Sequence, residues 1–221
     1  MQKTKILFLM ILSAFSLLAL SGCKNPNTPY SEEFDAPSNW RTGSTGDATG
    51  EVVGGVYDFT VYSNDNIVWS TSGEGDAPDG MYVVEARQIS GPLDNGYGMM
   101  FRVNDETDDF YLLQISGDGF IWVGRYHAGG EEEIVPMVGD GWFESTAVKQ
   151  GLDQLNILRA RVEGANMIFY VNDQEVGRVT DDTFTSGEVG LLMQTFSEGD
   201  VRVQFDNFIV TPIDAIAPER Y

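Results

Sequence analysis

The chain has 221 residues and is strongly acidic, with 13 Lys and Arg residues against 34 Asp and Glu residues. A surface this negative repels phosphate backbones and anionic lipid headgroups, which argues against nucleic acid as a partner and against electrostatic docking on a membrane. With one cysteine and one histidine, Cys23 and His127, the chain can form no internal disulfide and has too few ligands for a Cys/His zinc site.

The N-terminal segment over 1–22 has the layout of a secretory signal. Two lysines precede an apolar run at 6–20, which is about the usual length of a signal core and short for a membrane span. The run ends in Leu-Ser-Gly before Cys23, which resembles the lipobox of bacterial lipoproteins, in which the cysteine becomes the lipid-bearing N-terminus. The resemblance implies a lipid anchor in the cell envelope, facing outside the cytoplasm, and Lys24 implies the outer membrane if the cell has one. An ordinary signal peptide and an uncleaved anchor are the alternatives.

The remainder is predicted to be one domain on a short tether. We assign the lipidated cysteine and tether to 23–32, the folded domain to 33–211 and a polar tail to 212–221. At the start of the domain, a Gly/Ser/Thr-rich loop at 42–50 precedes strands at 56–62 and 67–70. A glycine-rich loop at 71–80 follows them.

The next stretch, 81–127, predicts four consecutive strands, at 81–89, 97–103, 110–116 and 120–127. These runs are rich in β-branched and aromatic residues. Between them, Asn95-Gly96 and Asp118-Gly119 suit turns that need positive φ. Such a run predicts an antiparallel meander that forms one half of a β-sandwich.

The region 129–149 is the least regular. Its acidic run, Glu131 to Glu133, is interpreted as a solvated turn, with one wall of a ligand site as the alternative. Further strands are predicted at 154–162, 167–171, 175–180, 187–194 and 201–210. About a dozen strands and no helix predict an all-β fold, a two-sheet antiparallel jelly-roll sandwich.

Several short motifs carry a resemblance to a known fold family. They are Phe34-Asp35, Trp40, Asp94-Asn95-Gly96-Tyr97-Gly98, Phe101-Arg102, Phe110-Tyr111, Ile115-Ser116-Gly117-Asp118-Gly119, Phe169-Tyr170-Val171-Asn172 and Phe205-Asp206-Asn207-Phe208. With these motifs the chain resembles the concanavalin A-like, or laminin G-like, jelly roll. More narrowly, it is similar to the 3-keto-disaccharide hydrolase family and to the accessory domain of exo-inulinases.

The resemblance implies a fold that hosts lectins, carbohydrate-binding modules, glycosidases and adhesion domains. Family 16 glycoside hydrolases of this fold use a Glu-x-Asp-x-x-Glu strand, which places their carboxylates on one face. Here Glu106 and Asp108 match, but Tyr111 stands where the second glutamate is required. We therefore expect non-catalytic recognition of carbohydrate or another cell-surface polymer. A hydrolase related to the keto-disaccharide hydrolases and a structural or adhesion lipoprotein that binds protein are the alternatives.

Arginines within three strands of the predicted meander suggest a ligand-binding face. Alternation places Glu85 on the same face as Arg87, and the hypothesis is a solvent-open polar patch that binds sugar hydroxyls beside aromatic rings. A lattice of cross-strand pairs is the alternative. The predicted ligand-binding set is Glu85, Arg87, Tyr97, Arg102, Gln114, Arg125 and Trp142, with Tyr111, Trp122 and Tyr126 as further ring faces. Of the four tryptophans, Trp142 in its glycine-rich loop is expected to be the most exposed.

The resemblance also implies a structural calcium ion. Related sandwiches often hold one between the N-terminal segment and the last strand, which here makes Asp35 and Asp206 the implied ligands. A hard cation prefers such oxygen ligands together with backbone carbonyls. The alternative is that Asp206 and Asn207 cap a turn.

Overall fold

The computed structural model describes residues 2–3, 28–129 and 134–216. The predicted lipidation site Cys23, nearly all of the predicted signal peptide, the acidic run at 131–133 and residues 217–221 lie outside the described residues. Within the described part, no helix is both long enough and apolar enough to cross a membrane.

Strands make up nearly all of the regular structure. In chain order they are β1 (Gln2–Lys3), β2 (Tyr30–Glu32), β3 (Gly43–Ser44), β4 (Ala48–Val53), β5 (Val56–Val61), β6 (Asn66–Thr71), β7 (Gly80–Ser90), β8 (Gly96–Asn104), β9 (Asp109–Ser116), β10 (Phe120–Tyr126), β11 (Ile134–Pro136), β12 (Phe143–Glu144), β13 (Asn156–Glu163), β14 (Asn166–Val171), β15 (Gln174–Thr180), β16 (Glu188–Gln194) and β17 (Val201–Pro212). A short 3-10 helix, Ile213–Ala215, follows β17.

The strands form two sheets. Sheet A has the order β1-β6-β16-β8-β9-β10-β11, and β12 also pairs with β10. Sheet B has the order β15-β14-β13-β7-β17-β5-β4-β3, and β2 also pairs with β17. Apart from the parallel contact between β1 and β6, the described pairings are antiparallel. The all-β two-sheet sandwich predicted from the sequence is confirmed.

The main core lies between the sheets. In β7, Tyr82, Val84 and Ala86 are buried while the residues between them are partly exposed, and β13 alternates in the same way. Successive side chains on a strand point to opposite faces, so sheet B has one core face and one solvent face. Sheet A differs, because β6 and β9 are buried at every position. Its outer face is therefore covered as well as its inner face.

The predicted four-stranded meander is divided between the sheets. Only β8, β9 and β10 are neighbours in sheet A, whereas β7 lies in sheet B between β13 and β17. Asn95 holds the crossover instead of forming a hairpin turn, because it donates to Pro92 O at 3.2 Å and accepts from Phe196 N at 2.9 Å. The second predicted turn does form, and Gly119 there has a φ of 105°.

Other differences concern short or glycine-rich segments. The short strand β3 and the first three residues of β4 lie within the predicted loop at 42–50, where threonine and glycine mask a strand pattern. β2 lies within the predicted tether and pairs with Phe208, Ile209 and Val210 of β17. The predicted tail begins inside β17 and continues into the 3-10 helix.

Candidate functional site

The outer face of sheet A, which points away from sheet B, carries a second apolar cluster. This outer cluster consists of Ile67, Trp69, Met100, Val103, Phe110, Leu112, Trp122, Tyr126 and Leu192, all of them buried. Among the described residues, the partly buried apolar side chains packed against it are Ala128, Ile134 and Trp142. Because its nine members are at most 5% exposed, the outer cluster forms a second, covered core on this side of sheet A.

One row of residues crosses this face at right angles to the strands. The register pairs Trp69 with Leu192, Leu192 with Gly98, Gly98 with Gln114, and Gln114 with Trp122. These five residues, which we call the central row, share one face, with a tryptophan at each end and glycine in the middle. Four strand spacings of about 4.8 Å separate the two tryptophan backbones, so the row spans about 19 Å.

Gly98 and Gly124 have no side chain to fill the space between the aromatic rings on this face. At Gly98 a Cβ atom would collide with Leu113 O and lie 2.7 Å from Gln114 Cα. At Gly124 a Cβ atom would collide with the ring of Trp122, which lies over that glycine. We call the central row and the rings of Trp69 and Trp122 that flank it the trough. In the structure its side chains are at most 5% exposed, and a cavity of about 10 Å³ lies beside it, against Gln114 and Leu192.

Three buried polar atoms on this face have no hydrogen-bond partner among the described residues: Trp69 Nε1, Thr71 Oγ1 and Gln114 Oε1. Thr71 belongs to the face because it pairs with Gly190, one row from the central row. Gln114 donates through Nε2 to Gln194 Oε1 at 2.9 Å, which leaves its own oxygen unused. An unsatisfied buried polar group costs about 1–3 kcal/mol, so each of these atoms needs an explanation. Ligand hydroxyl groups could satisfy all three.

On the described strands β6, β8, β9, β10, β12 and β16 of sheet A, two outward residues are charged, Glu188 and Glu144, and both lie off the central row. Lys3 of edge strand β1 pairs with the outward residue Ile67. Glu188, at the start of β16, accepts a hydrogen bond from Gly73 N at 2.9 Å, and Glu144 of edge strand β12 pairs with Phe120. The other outward positions on the described strands β6, β16, β8, β9 and β10 are neutral: Ile67, Trp69, Thr71, Gly190, Leu192, Gln194, Gly96, Gly98, Met100, Phe110, Leu112, Gln114, Ser116, Phe120, Trp122, Gly124 and Tyr126. Four strand spacings separate the two glutamates, at least about 19 Å.

Two residues of the predicted ligand-binding set, Gln114 and Trp142, reach this face, and so do two of the further ring faces, Trp122 and Tyr126. Gln114 lies in the central row, and Trp142 packs beside it. A Cβ atom added to Gly96 would lie 2.5 Å from Gln114 Oε1 and 2.9 Å from the ring of Trp142, so both side chains lie over that glycine. Trp142 is partly exposed, as its loop predicted, and the other three tryptophans are buried. Tyr97 points to the opposite side of β8 and lies in the main core.

The predicted polar patch on one sheet does not form, so that prediction was wrong. Glu85 and Arg87 belong to β7 in sheet B, on the solvent face of the other sheet. On that face cross-strand ion pairs dominate, as in the bidentate contact of Arg202 with Asp58. The sequence could not distinguish a patch on one sheet from residues spread over two sheets. Alternation shows which residues of one strand share a face, but it does not show which sheet the strand joins.

Arg102 is buried and structural. A β-bulge with a φ of 51° at Arg102 turns its side chain away from the outer face, and the residue is only 3% exposed. Its guanidinium donates to Asp79 Oδ1 at 2.9 Å, Gly164 O at 2.7 Å and Phe184 O at 2.9 Å. Asp79 in turn accepts from Gly164 N at 2.6 Å. Arg102 therefore ties three loops together and presents nothing to a ligand.

Arg125 also serves an internal contact. It donates to Asp181 Oδ2 at 2.8 Å and Thr183 Oγ1 at 2.6 Å, while Tyr111 donates to Asp181 Oδ1 at 2.5 Å. Burial opposes ionisation of Asp181, but the hydrogen bonds from Tyr111 and Thr183 and the charge of Arg125 outweigh it and lower its pKa. Burial, together with the bond to Asp181, raises the pKa of Tyr111 to about 12. This group fastens the segment before β16 to the end of sheet A.

The residues implied for calcium lie in an acidic patch. Burial raises the pKa of Asp206, and the negative charges of Glu85, Asp35 and Glu33 raise it further. The hydrogen bond that Asp206 accepts from Asn207 N at 2.7 Å lowers this pKa but does not cancel the increase. In the part of the chain that the structure describes, no three His, Cys, Asp or Glu side chains converge as a metal-binding group. The side chains alone do not fit a calcium site, so backbone carbonyls would have to supply most ligands. Calcium stays a prediction.

Replacing Asp206 by asparagine in a metal-free buffer is expected to raise the melting temperature by about 1–2 °C. The physical reason is the loss of like-charge repulsion, an effect of about 0.5 kcal/mol. Thermal unfolding in EDTA and in calcium measures it, with the exposed Asp140→Asn as a control of equal charge change. A destabilising effect of Asp206→Asn in calcium would support the ion. The same gain in both buffers would exclude it at this residue.

Two larger grooves lie at the N-terminal side of the domain. The first has a volume of about 970 Å³, lies between β2 and the loop before β7, and is lined by Tyr30, Glu32, Asn39 and Asp76 among others. The second, of about 480 Å³, lies over Trp40 and the β4–β5 turn. Neither groove shares a residue with the central row.

Sequence reasoning missed most of the trough. Trp69, Gly98 and Gln194 come from three strands that are far apart in the chain, and only the register brings them together. The available signal was the pair of glycines at 96 and 98 in an otherwise apolar strand, which marks a close approach of other groups.

The fold is shared with carbohydrate-active and carbohydrate-binding proteins. The carbohydrate-binding module CBM66 from Bacillus subtilis has a TM-score of 0.58 at 16% identity, over 77% of this chain and 94% of that chain. A β-1,3-1,4-glucanase (lichenase) from a mouse hindgut metagenome has a TM-score of 0.59 at 14% identity, over 84% and 100%. The β-glucanase of Bacillus licheniformis has a TM-score of 0.55 at 12% identity, over 83% and 97%. No family model and no curated protein matches the chain. At these identities the similarity establishes the fold, a concanavalin A-like jelly roll.

Proposed function

We propose that the protein recognises carbohydrate without cleaving it, and that the trough on the outer face of sheet A is the binding site. The central row carries this proposal, because it combines two tryptophans, an amide and a glycine floor. Aromatic rings pack on the apolar faces of sugars, and indole and amide groups bond to hydroxyls. The unpaired atoms of Trp69, Thr71 and Gln114 supply both a donor and acceptors. The likeness to a carbohydrate-binding module supports the same class of ligand.

The distribution of acids supports recognition over hydrolysis. Glycosidases hold two carboxyl groups about 5–10 Å apart across the scissile bond. Among the described outward residues of this face, Glu188 and Glu144 are the acids, and four strand spacings, at least about 19 Å, separate them. Tyr111, in place of the second glutamate of the family 16 motif, lies in the main core.

The predicted location of the protein at the cell envelope is part of the proposal. A lipid at Cys23 would hold the domain at the envelope surface, outside the cytoplasm, where polysaccharides are present. Several acyl chains, each CH₂ contributing about 0.8 kcal/mol, give stable anchoring. Fractionation of a Cys23→Ser variant tests this, since release from the membrane is the expected result and unchanged retention would exclude the anchor.

Binding should depend on the central row. In a soluble form that begins at residue 24, which retains β2 to β17, Trp122→Phe and Gln114→Met are each expected to weaken binding of a polysaccharide ligand at least tenfold. Trp122→Phe removes ring area, and Gln114→Met removes the unpaired oxygen while keeping the side-chain shape. Affinity electrophoresis and calorimetry measure the effect.

A matched control separates binding from folding. Tyr62 is an exposed aromatic residue directly after β5 of sheet B, so Tyr62→Leu should leave binding unchanged. Circular dichroism and urea unfolding check that every variant folds. Wild-type affinity in both folded trough variants would overturn the proposed site.

A further inference from the structure

The larger groove on the N-terminal side of the domain has no part in the carbohydrate site proposed above. We propose that residues 24–27 of the tether, which lie outside the described residues, bind in this groove, with Lys24 against the carboxylates that line it. Three observations support this docking: the lining of the groove, its charge, and the point at which the chain enters the described structure. The docking does not depend on the ligand of sheet A.

The groove has largely apolar walls. The apolar residues that line it are Pro29, Tyr30, Pro37, Ala77, Pro78 and Val189. They come from the start of β2, from the loops that precede β3 and β7, and from β16, so separate segments of the chain build the groove. Its volume of about 970 Å³ lies at the upper end of the roughly 300–1,000 Å³ of ligand pockets, which is room for a short peptide segment.

Acidic side chains line the groove as well: Glu32, Glu74 and Asp76. No described lysine or arginine lines it. Hydrogen bonds hold two of the acids in place. Glu32 accepts from Phe34 N at 2.8 Å, and Glu74 accepts from Asn39 Nδ2 at 2.5 Å. A cation that enters the groove therefore meets carboxylates that are already positioned.

The pKa of Tyr30 reflects the negative potential of the groove. Burial raises the pKa of its hydroxyl group, and the negative charges of Glu32, Glu74 and Glu188 raise it further. Such a potential increases the local concentration of cations and repels anions. The segment that binds in the groove is therefore expected to carry a positive charge.

The tether is a nearby source of such a segment. Thr28 and Pro29 are the first residues of the described range 28–129, and both line the groove. Lys24 precedes Thr28 by four residues, so the two Cα atoms are at most about 14 Å apart. An exposed ion pair is weak, but a tether on the same chain acts at an effective concentration in the millimolar range. A weak interaction is therefore sufficient for docking.

A bound tether restricts the orientation of the domain. With the lipid proposed at Cys23, the side of the domain that contains the groove would face the membrane. A tether that does not bind the groove would allow many orientations. The property to measure is therefore whether the segment next to Cys23 is held against the groove.

A spin label on Cys23, the single cysteine of the chain, tests the docking. The soluble form used for it begins at residue 21 and retains β2 to β17. Nuclear magnetic resonance measures how strongly the label broadens the backbone amide signals of Ala77 and Val189, which line the groove. We expect strong broadening in the wild type and a reduction of about threefold or more in Lys24→Gln. The same reduction is expected in about 1 M NaCl, which screens the charges.

Matched variants separate a specific docking from a general charge effect. Asp76→Asn is expected to reduce the broadening about twofold, whereas Asp140→Asn, at an exposed acid outside the groove, should leave it unchanged. Lys149→Gln removes a positive charge elsewhere and should also leave it unchanged. The amide spectrum shows whether each variant is folded. No broadening in the wild type, or equal broadening in the wild type and Lys24→Gln, would overturn the docking. Neither result bears on carbohydrate binding, which Trp122→Phe tests separately.

Discussion

Replacing Arg102 by methionine is expected to lower the free energy of unfolding by about 3 kcal/mol, which urea unfolding at neutral pH would measure. The guanidinium is buried and donates to Asp79 and to the carbonyls of Gly164 and Phe184. Methionine fills much of the same volume and donates to none of them. Each carbonyl left unsatisfied costs about 1–3 kcal/mol, while Asp79, with a side chain 43% exposed, recovers part of its hydration.

The matched control for Arg102 is Arg161→Met. Arg161 contacts Glu163 at 3.3 Å on the solvent face of sheet B, with side chains 31% and 58% exposed. An exposed pair of this kind contributes less than about 1 kcal/mol. Equal losses in the two variants would show that the buried contacts of Arg102 are not what stabilises the three loops.

Gly98→Ala is expected to destabilise the fold by about 3 kcal/mol or more, or to prevent folding. A Cβ atom there meets Leu113 O and Gln114 Cα, which are backbone atoms of the neighbouring strand and cannot rotate away. β8 and β9 would have to part at the centre of sheet A, and such overpacking is costly. Calorimetry should show a fall in melting temperature of about 6–12 °C.

Gly46→Ala provides the comparison for Gly98. A Cβ atom at Gly46 would have nothing within 4 Å, and its φ is not positive. Alanine at such a position usually changes stability by less than about 1 kcal/mol, toward stabilisation, because it restricts the unfolded chain. Similar melting temperatures for the two alanine variants would contradict the close approach of β8 and β9.

The strands were predictable from the sequence, since a strand is a local pattern. Alternation of apolar residues located β7, β9 and β13 to within two residues at either end. The assignment of β7 to a sheet was not predictable, because it depends on partners such as β17 that lie far along the chain. The alternation of apolar residues shows which residues of one strand share a face, but it does not show which strands are neighbours.

The candidate site shows the same limit more sharply. Gln114 and Trp142 were identified by residue type and position, whereas Arg102 and Arg125 were assigned to a binding face because charged side chains in strands usually reach solvent. A bulge at Arg102 and a loop carrying Asp181 satisfy those charges internally instead. Neither the bulge nor the loop contact leaves a periodic trace in the sequence. The central row as a whole was not predicted, because only four separate strand pairings place Trp69 on the same face as Gln114 and Trp122.

The position of β17 has a consequence for biosynthesis. This strand is the last of the described strands, and it is hydrogen-bonded to β7, β5 and β2 in the interior of sheet B. Sheet B therefore cannot close until residue 212 has been synthesised, and the nascent chain has no stable sandwich while it grows on the ribosome. A chain whose sandwich is completed only by β17 is incompletely folded during synthesis, which would keep it threadable through a translocation channel, as the proposed export requires.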